Sequence, residues 1–263
     1  MKVLSIMNKY TLITGASEGI GLEMAKLFAR DKHNLILVSR NEVKLNNIKQ
    51  RFEKKYGICV KILSLDFSVD NSCMELYRFV DENNLIVDNL INNVGIGSYG
   101  EFINSSEGFE DYIININIRT VTILSKLFLK EMKDRGEGRI LNVASTAAFI
   151  GGPKMAIYYA TKAYVLSLTE ALFEEGKAYG VLVSCLCPGA INTGFQEKAG
   201  IKKTESSKKL IMNSRTVAEI AYRDFNKGKA IIIPGYINKI LVTLTKFLPR
   251  SISRRIVLKS NKN

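Results

Sequence analysis

Three glycines that follow a short apolar segment place the strongest constraint on the fold of this chain. Residues 10–14 are apolar or β-branched and run directly into Gly15, Gly19 and Gly21, after which a helical pattern continues to Arg30. This order predicts a strand, a tight turn and a helix. Glycines permit close approach to a ligand, and the N–H groups of a helix start attract phosphate. The GxxxGxG spacing differs from the general GxGxxG fingerprint, so the motif alone fits a purely structural turn equally well.

Apolar segments of strand length recur along the chain and alternate with helical stretches. We predict strands near 10–14, 34–39, 58–65, 88–93, 138–145, 181–187 and 230–233. This alternation predicts a single-domain α/β fold, a doubly wound parallel sheet with helices on both faces. With 263 residues, 46% of them hydrophobic, the chain can bury one large core. We assign residues 1–235 to a dinucleotide-binding and catalytic domain, and residues 236–263 to a C-terminal extension of the same domain.

The residue that follows the second predicted strand bears on the choice of nucleotide. NAD-binding chains carry an acidic residue about 20 positions beyond the glycines, whereas Arg40 stands there in this chain. Its guanidinium suits the 2′-phosphate of NADP, so NADP(H) is the favoured cofactor. Two points oppose this choice. Glu18 brings a negative charge into the glycine turn, and Arg40 can equally be a solvated residue at a helix start.

Tyr158 and Lys162 lie four residues apart, which places both side chains on one face of a helix. A phenol has a reference pKa of about 10, and a neighbouring cation lowers that pKa by stabilising the phenolate. The pair can therefore give or take a proton. The same spacing also arises by chance on exposed helices, so the pair alone does not define an active site.

Together, the motifs between Lys9 and Ile201 resemble those of the short-chain dehydrogenase/reductase family, in that family's order. They are the glycine turn, Asp66, the run Asn92-Asn93-Val94-Gly95, Asn117, Ser145, the Tyr158 and Lys162 pair, and Pro188-Gly189. The resemblance implies a Rossmann-type fold and an oxidoreductase. Val94 stands where the family usually has alanine, which resembles the branch with 3-oxoacyl reductases and hydroxysteroid dehydrogenases.

The resemblance implies catalytic roles for four residues. Tyr158 would be the general acid in reduction and the base in oxidation, and Lys162 would lower the pKa of Tyr158 and hold the nicotinamide ribose. Ser145 would donate a hydrogen bond to the substrate oxygen, where negative charge develops in the transition state. Asn117 would hold a water that links Lys162 to solvent. Taken singly, Ser145 can simply end a strand and Asn117 can be an ordinary polar helix residue.

The resemblance also implies a set of cofactor-binding residues at the strand ends. Besides Tyr158 and Lys162, the set comprises Gly15, Ser17, Glu18, Gly19, Ile20, Gly21, Arg40, Asp66, Phe67, Asn93, Gly95, Pro188, Gly189, Ile191 and Thr193. Asp66 and Phe67 would contact the adenine, Asn93 would lie along the cofactor, and the segment 188–193 would contact the nicotinamide carboxamide. Asp66 can instead cap a helix.

Apolar residues flank the expected pocket and favour a hydrophobic substrate. They are Phe149, Ile150, Met155, Ile157 and Phe195. We therefore expect a hydrophobic ketone, a 3-oxoacyl group or a steroid-like carbonyl rather than a sugar phosphate. The polar stretch 196–213 follows the nicotinamide segment, and it is either a lid over the substrate or an ordinary surface loop.

The cysteines and the single histidine argue against a metal site. Cys59, Cys73, Cys185 and Cys187 form no CxxC pattern and are expected to be reduced core residues, while His33 lies in a polar turn. The sequence predicts no bound metal.

The first ten residues lack the apolar core of a secretory signal, and no apolar run is expected to reach the length of a membrane span, so a cytoplasmic location is expected.

The chain has a net charge of +13, much of it in the C-terminal tail. No acidic residue follows Asp224, and basic residues mix with apolar ones on either side of Pro249, which fits an amphipathic helix. The tail either packs over the pocket or in a subunit interface, or contacts an anionic membrane, or binds nucleic acid. No nucleic-acid motif supports the last interpretation.

The resemblance to the short-chain dehydrogenase/reductase family also implies a homodimer or homotetramer built on the helices that contain Asn117 and Tyr158.

The sequence thus predicts an NADP(H)-dependent oxidoreductase that transfers a hydride between nicotinamide and a small-molecule carbonyl or secondary alcohol. The alternative is a non-catalytic dinucleotide-binding sensor or a membrane-docked binding protein. The complete set of Asn117, Ser145, Tyr158 and Lys162 argues against this alternative, because a binding module does not need all four.

Overall fold

Seven parallel strands form one sheet in the order β3-β2-β1-β4-β5-β6-β7, in a computed structural model that describes residues 9–191 and 211–261. The strand order reverses at β1, so the chain is doubly wound, as the sequence predicted. The strands are β1 (Lys9–Thr14), β2 (Asn34–Ser39), β3 (Val60–Ser64), β4 (Ile86–Asn92), β5 (Gly138–Val143), β6 (Val181–Leu186) and β7 (Ile231–Ile232).

Helices connect most of these strands and cover the sheet. They are α1 (Gly19–Arg30), α2 (Glu42–Tyr56), α3 (Ser72–Glu82), α4 (Phe109–Ile114), α5 (Thr120–Arg135), α6 (Ala156–Lys177), α7 (Ser214–Asn226), α8 (Tyr236–Thr245) and α9 (Arg250–Ser260). Their ends follow local chemistry. The side chain of Asn41 accepts a hydrogen bond from the Lys44 backbone at 2.9 Å before α2, and Gly57 ends that helix with φ of 62°.

The sheet has a packed core on each face, because side chains along a strand point to alternate sides. On one face, Ile13 of β1 packs with Phe28 of α1 and with residues of α2 and α7. On the other face, Leu12 of β1 packs with Phe128 of α5 and with residues of α3. These two layers confirm the predicted α/β class and leave the strand ends open at one edge of the sheet.

A run of 27 residues, Phe109–Arg135, is long and apolar enough to cross a membrane. The expectation that no apolar run reaches this length was therefore wrong. The physical reason is that this run, which comprises α4, a helical turn at Asn115–Arg119 and α5, packs in the core of the domain, where Leu124, Phe128 and Met132 are fully buried against the sheet.

One of the four cysteines does not lie in the core as expected. Cys73, Cys185 and Cys187 are buried and unpaired, but Cys59 is exposed. It precedes β3, where its backbone N–H donates to the Asn34 side chain at 2.9 Å. His33 is exposed, as expected. Over residues 9–191 and 211–261, no group of three or more His, Cys, Asp or Glu side chains could hold a metal ion.

Candidate active site

The glycine turn joins β1 to α1 and forms one end of a large cavity. Gly15 and Gly19 have φ of 65° and 59°, a conformation that other residues rarely adopt. A Cβ on Gly21 would lie 2.4 Å from the Gly15 carbonyl oxygen, so the third glycine permits close contact between the turn and the helix. Glu18 precedes α1 and makes no side-chain cap bond to it. The first N–H groups of α1 are therefore available to an anion.

A hydrogen-bonded clamp fixes this turn to the end of β4. The Thr14 hydroxyl accepts from the backbone N–H groups of Asn93 and Val94 at 3.0 and 3.1 Å. The Asn93 amide donates to the carbonyls of Thr14 and Gly15 at 2.9 and 3.1 Å. Asn93 was predicted to lie along the cofactor. It does line the cavity, but its side chain is occupied in holding the turn.

Beside the turn, two basic residues flank the cavity near the ends of β2 and β3. Arg40 lies 3.7 Å from the Asp66 carboxylate and donates to the Tyr112 hydroxyl at 3.1 Å. Lys44 lies 3.6 Å from Glu18. Glu18, which seemed from the sequence to oppose NADP, therefore has a cation beside it.

Asp66 has a structural role as well as a place in the cavity wall. Its Oδ1 accepts from the Ser68 backbone N–H and hydroxyl, both at 2.9 Å. Burial raises the pKa of the Asp66 carboxyl, but the bonds from Ser68 and the nearby Arg40 outweigh it and hold that pKa below its usual value. The carboxylate is thus kept charged at the end of β3.

Ser145, Tyr158 and Lys162 lie together at the other end of the cavity. Ser145 lies two residues beyond the end of β5, and its hydroxyl accepts from the Ala147 backbone N–H at 3.1 Å. Tyr158 and Lys162 project from the first turns of α6, and all three side chains are buried. The Lys162 ammonium donates to the Val143 carbonyl at 2.9 Å and lies 5.9 Å from the centre of the Tyr158 ring.

Asn117 supports this group from a turn of π-helix, Asn115–Arg119, between α4 and α5. Its side chain is fully buried. Its amide accepts from the Ile96 N–H at 2.9 Å, and donates to the Ile96 carbonyl at 2.8 Å and to the Thr161 hydroxyl at 3.0 Å. Asn117 thereby ties the segment after β4 to α6. A Cβ on Gly95 would lie 3.1 Å from the Lys162 ammonium, so glycine leaves room for the lysine.

Burial controls the electrostatics of the pair. It raises the pKa of Tyr158 to about 12, against a smaller opposing effect of the hydrogen bond with Ser145. Burial also lowers the pKa of Lys162 to about 8. Lys162 was expected to lower the pKa of Tyr158. In this structure the pKa of Tyr158 is raised instead, because the loss of hydration on burial dominates.

The cavity has a volume of about 1130 Å³, large enough for a dinucleotide and a second small molecule. All of the described residues of the predicted cofactor-binding set line it except Gly21, which lies behind the turn. Pro188, Gly189 and Ile191 form its wall after β6. Thr193 lies outside the described residues, as does most of the predicted lid at 196–213.

The apolar wall of the cavity differs in part from the one predicted. Met155 lines the cavity, but Phe149, Ile150 and Ile157 do not. Phe149 packs instead in a neighbouring core cluster. Phe195 lies outside the described residues. The apolar and aromatic side chains near Tyr158 are Ile96, Tyr99, Phe109, Met155 and Tyr159.

Sequence reasoning missed Lys44 and Asn261, which both line the cavity. Lys44 carried a signal, since it is basic and follows Arg40 by one helical turn. Asn261, which follows α9, carried none. Its carbonyl accepts from the Tyr99 hydroxyl, and its amide donates to the Pro153 carbonyl at 2.9 Å. These contacts join segments far apart in the chain, so no local pattern predicts them.

Comparison with known proteins gives the family context. The family model described as short chain dehydrogenase matches residues 9–204. The 17-beta-hydroxysteroid dehydrogenase type 3 of Mus musculus is 32% identical over 80% of this chain and 69% of its own length. The very-long-chain 3-oxoacyl-CoA reductase-B of Danio rerio is 34% identical over 72% of this chain. The match spans only 61% of that relative's own length.

Two solved structures share the fold over nearly the whole chain. A short-chain dehydrogenase from Sphingobium yanoikuyae in complex with NADPH has a TM-score of 0.81 at 28% identity, covering 92% of this chain and 97% of that one. One from Burkholderia phymatum in complex with NAD has a TM-score of 0.80 at 24% identity, covering 91% of this chain and 93% of that one. At the latter identity, the likeness shows the fold alone.

Proposed function

Because the chain belongs to the short-chain dehydrogenase family and is an oxidoreductase that binds a nicotinamide dinucleotide, we propose that it transfers a hydride between NADP(H) and a hydrophobic ketone or secondary alcohol. One observation carries this proposal. The glycine turn and Arg40 lie at one end of a single cavity, and Ser145, Tyr158 and Lys162 lie at the other.

The described residues fit a dinucleotide. The start of α1 suits the pyrophosphate, since no side chain of Glu18 caps its N–H groups. Gly15, Gly19 and Gly21 have no side chains, so a ligand can approach the backbone of the turn closely. Lys162 would hold the nicotinamide ribose. When bound, the nicotinamide supplies or accepts the hydride, and the protein contributes binding, alignment and proton transfer.

Proton transfer is assigned to Tyr158. A pKa of about 12 keeps its phenol protonated at neutral pH, which suits an acid that donates to the substrate oxygen during reduction. The Ser145 hydroxyl would donate a second hydrogen bond to that oxygen and stabilise its developing charge. With a pKa of about 8, Lys162 is mostly charged at pH 7. The water relay through Asn117 stays a prediction.

The preference for NADP(H) rests on charge. Arg40 and Lys44 both flank the end of the cavity where a 2′-phosphate would lie, and Asp66 and Glu18 each have one of these cations nearby. Two cations for one phosphate favour NADP over NAD. The NADPH bound in the Sphingobium yanoikuyae relative supports the same choice.

The substrate class rests on the cavity wall and the relatives. Ile96, Phe109 and Met155 present apolar surface beside Tyr158. Two relatives are named for very-long-chain 3-oxoacyl-CoA and for 17-beta-hydroxysteroids. We propose a 3-oxoacyl or steroid-like carbonyl, acted on in the cytoplasm.

A nucleotide titration followed by a ketone panel tests the proposal. We expect the full chain to bind NADPH more tightly than NADH and to oxidise NADPH with at least one hydrophobic ketone.

The variant Arg40→Asp should weaken NADPH binding at least about tenfold more than NADH binding, because it replaces a phosphate contact with a like charge. The exposed Arg51, also on α2, provides the control Arg51→Asp. Equal loss of both nucleotides would reject the 2′-phosphate assignment, and binding without turnover would favour a sensor.

A further inference from the structure

The last two helices carry apolar side chains toward solvent in a regular row. We call this row the C-terminal apolar stripe. Its members are Ile237, Ile240, Leu241 and Leu244 in α8, Leu248 in the turn that follows, and Ile252 and Ile256 in α9. Each is between 37% and 55% exposed. Phe247, beside the stripe, is 80% exposed. Single exposed apolar residues are ordinary, but several that recur every three or four residues along a helix mark a surface that binds something.

The opposite faces of the same helices are fixed to the domain. In α8, Asn238 and Val242 are buried, and the Asn238 amide donates to the Pro234 carbonyl at 2.8 Å. In α9, Ser253 and Val257 are buried. The stripe therefore faces outward because the inner faces are already packed.

The charged residues of α8, α9 and the turn between them all have one sign. No Asp or Glu occurs after Asp224. The basic residues of α8, α9 and the turn between them are Lys239, Lys246, Arg250, Arg254, Arg255 and Lys259. Two copies of this surface would repel each other, which disfavours a second copy of the chain as its partner. Anionic lipid headgroups match the charge, and the acyl region of a bilayer matches the stripe.

We propose that the C-terminal apolar stripe and its basic residues form a docking surface for an anionic lipid bilayer. The position of α9 favours a bilayer over nucleic acid, since Ser260 and Asn261 at its end line the cavity near Tyr99 and Tyr159. One helix thus joins the docking surface to the wall of an apolar pocket. Nucleic acid would leave the stripe without a partner, because the stripe offers few rings on which bases stack.

Vesicle binding tests the proposal without any substrate. The full chain is sedimented with vesicles of phosphatidylcholine alone or with about one third phosphatidylserine, at low and physiological salt. We expect binding to the anionic vesicles, weakened by salt. The double variant Arg254→Gln/Arg255→Gln should lower the partition coefficient about 30-fold, at about fivefold for each basic residue. The control Lys54→Gln/Lys55→Gln removes two adjacent exposed charges from α2 and should bind normally.

A second variant tests the apolar component. Ile240→Ser/Leu244→Ser should lower partitioning at least about tenfold, whereas Ile103→Ser, at a residue 85% exposed elsewhere on the surface, should not. Circular dichroism and NADPH titration establish that each variant is folded.

Four results would overturn the proposal. The first is equal binding of wild type and both variants to vesicles. The second is no vesicle binding together with a dimer that the serine variant dissociates, which would assign the stripe to a second copy. The third is no vesicle binding together with a lower unfolding midpoint of the serine variant, which would show that the stripe packs within the protein. Binding to labelled duplex DNA in place of vesicles would also reject it.

Discussion

At the scale of single residues, Lys162 combines two properties that seldom occur together. It is 5% exposed, yet it carries an ammonium group held by a carbonyl oxygen, that of Val143. Burying a charge opposes folding unless it is fully compensated. Burial lowers the pKa of Lys162 to about 8, which reflects the free energy that opposes burying its charge. The position is therefore one where the fold gives up stability, and such positions mark functional sites.

This cost gives Lys162 a characteristic pH dependence. The folded-state pKa of about 8 lies below the usual 10.5, so the unfolded chain binds more protons between these values, and the stability of the wild type gains as pH rises through this window. Relative to Lys162→Met, we expect the free energy of unfolding of the wild type to rise by up to about 3 kcal/mol from pH 7 to pH 10.5. Urea denaturation across this range measures it, with the exposed Lys130→Met as control. A difference that does not vary with pH would contradict the buried charge.

Tyr158 provides the second residue-scale prediction. Tyr158→Phe keeps the ring and removes the only group proposed to donate the proton. We expect turnover to fall about 10²–10⁴-fold, the usual contribution of a general acid, with NADPH affinity little changed. Tyr179→Phe, at an exposed tyrosine just after α6, is the matched control. Near-normal turnover by Tyr158→Phe in single-turnover kinetics would reject the assignment.

At the scale of elements, the turn between β1 and α1 depends on a close contact that only glycine permits. We predict that Gly21→Ala destabilises the protein by about 1–3 kcal/mol and weakens binding of both nucleotides, because its Cβ would lie 2.4 Å from the Gly15 carbonyl oxygen. Gly151→Ala is the control, since a Cβ there meets nothing within 4 Å. Thermal unfolding and nucleotide titration measure the two effects. Unchanged binding by Gly21→Ala would show that the turn does not hold the nucleotide.

The strands and most helices were predictable because their signals are local. Apolar β-branched runs and glycine ends place the predicted strands within about three residues of the observed ones, and Pro249 divides the tail into α8 and α9 as expected. The π-helical turn at Asn115–Arg119 was not predicted. It is accompanied by bonds between Asn117 and Ile96, which depend on tertiary structure.

At the scale of the whole molecule, the candidate site could be assembled from the sequence only because motif order resembled a known family. Ser145 and Tyr158 come from different elements, and nothing local predicts that they meet. The pairing of Lys44 with Glu18 and the raised pKa of Tyr158 were missed for the same reason. Both depend on burial and on contacts across the fold.

Subunit association also belongs to this scale. We predict a homodimer or homotetramer through the outer faces of α5 and α6, where Tyr164 is 38% exposed and its hydroxyl lies 2.9 Å from that of Thr122. Light scattering should then give two or four times the chain mass of 29.4 kDa. Tyr164→Glu should shift the protein toward the monomer, because it places a charge in a desolvated contact, and Ile103→Glu should not. A monomeric wild type would contradict this assembly.

The clamp between Thr14, Gly15 and Asn93 has a consequence for how the protein is made. Its two sides are 79 residues apart, and every strand from β1 to β4 has been synthesised once Asn92 is added. All residues of the turn and of the clamp that holds it are therefore synthesised before Ser145, Tyr158 and Lys162, so the two ends of the cavity are encoded in separate, successive parts of the chain.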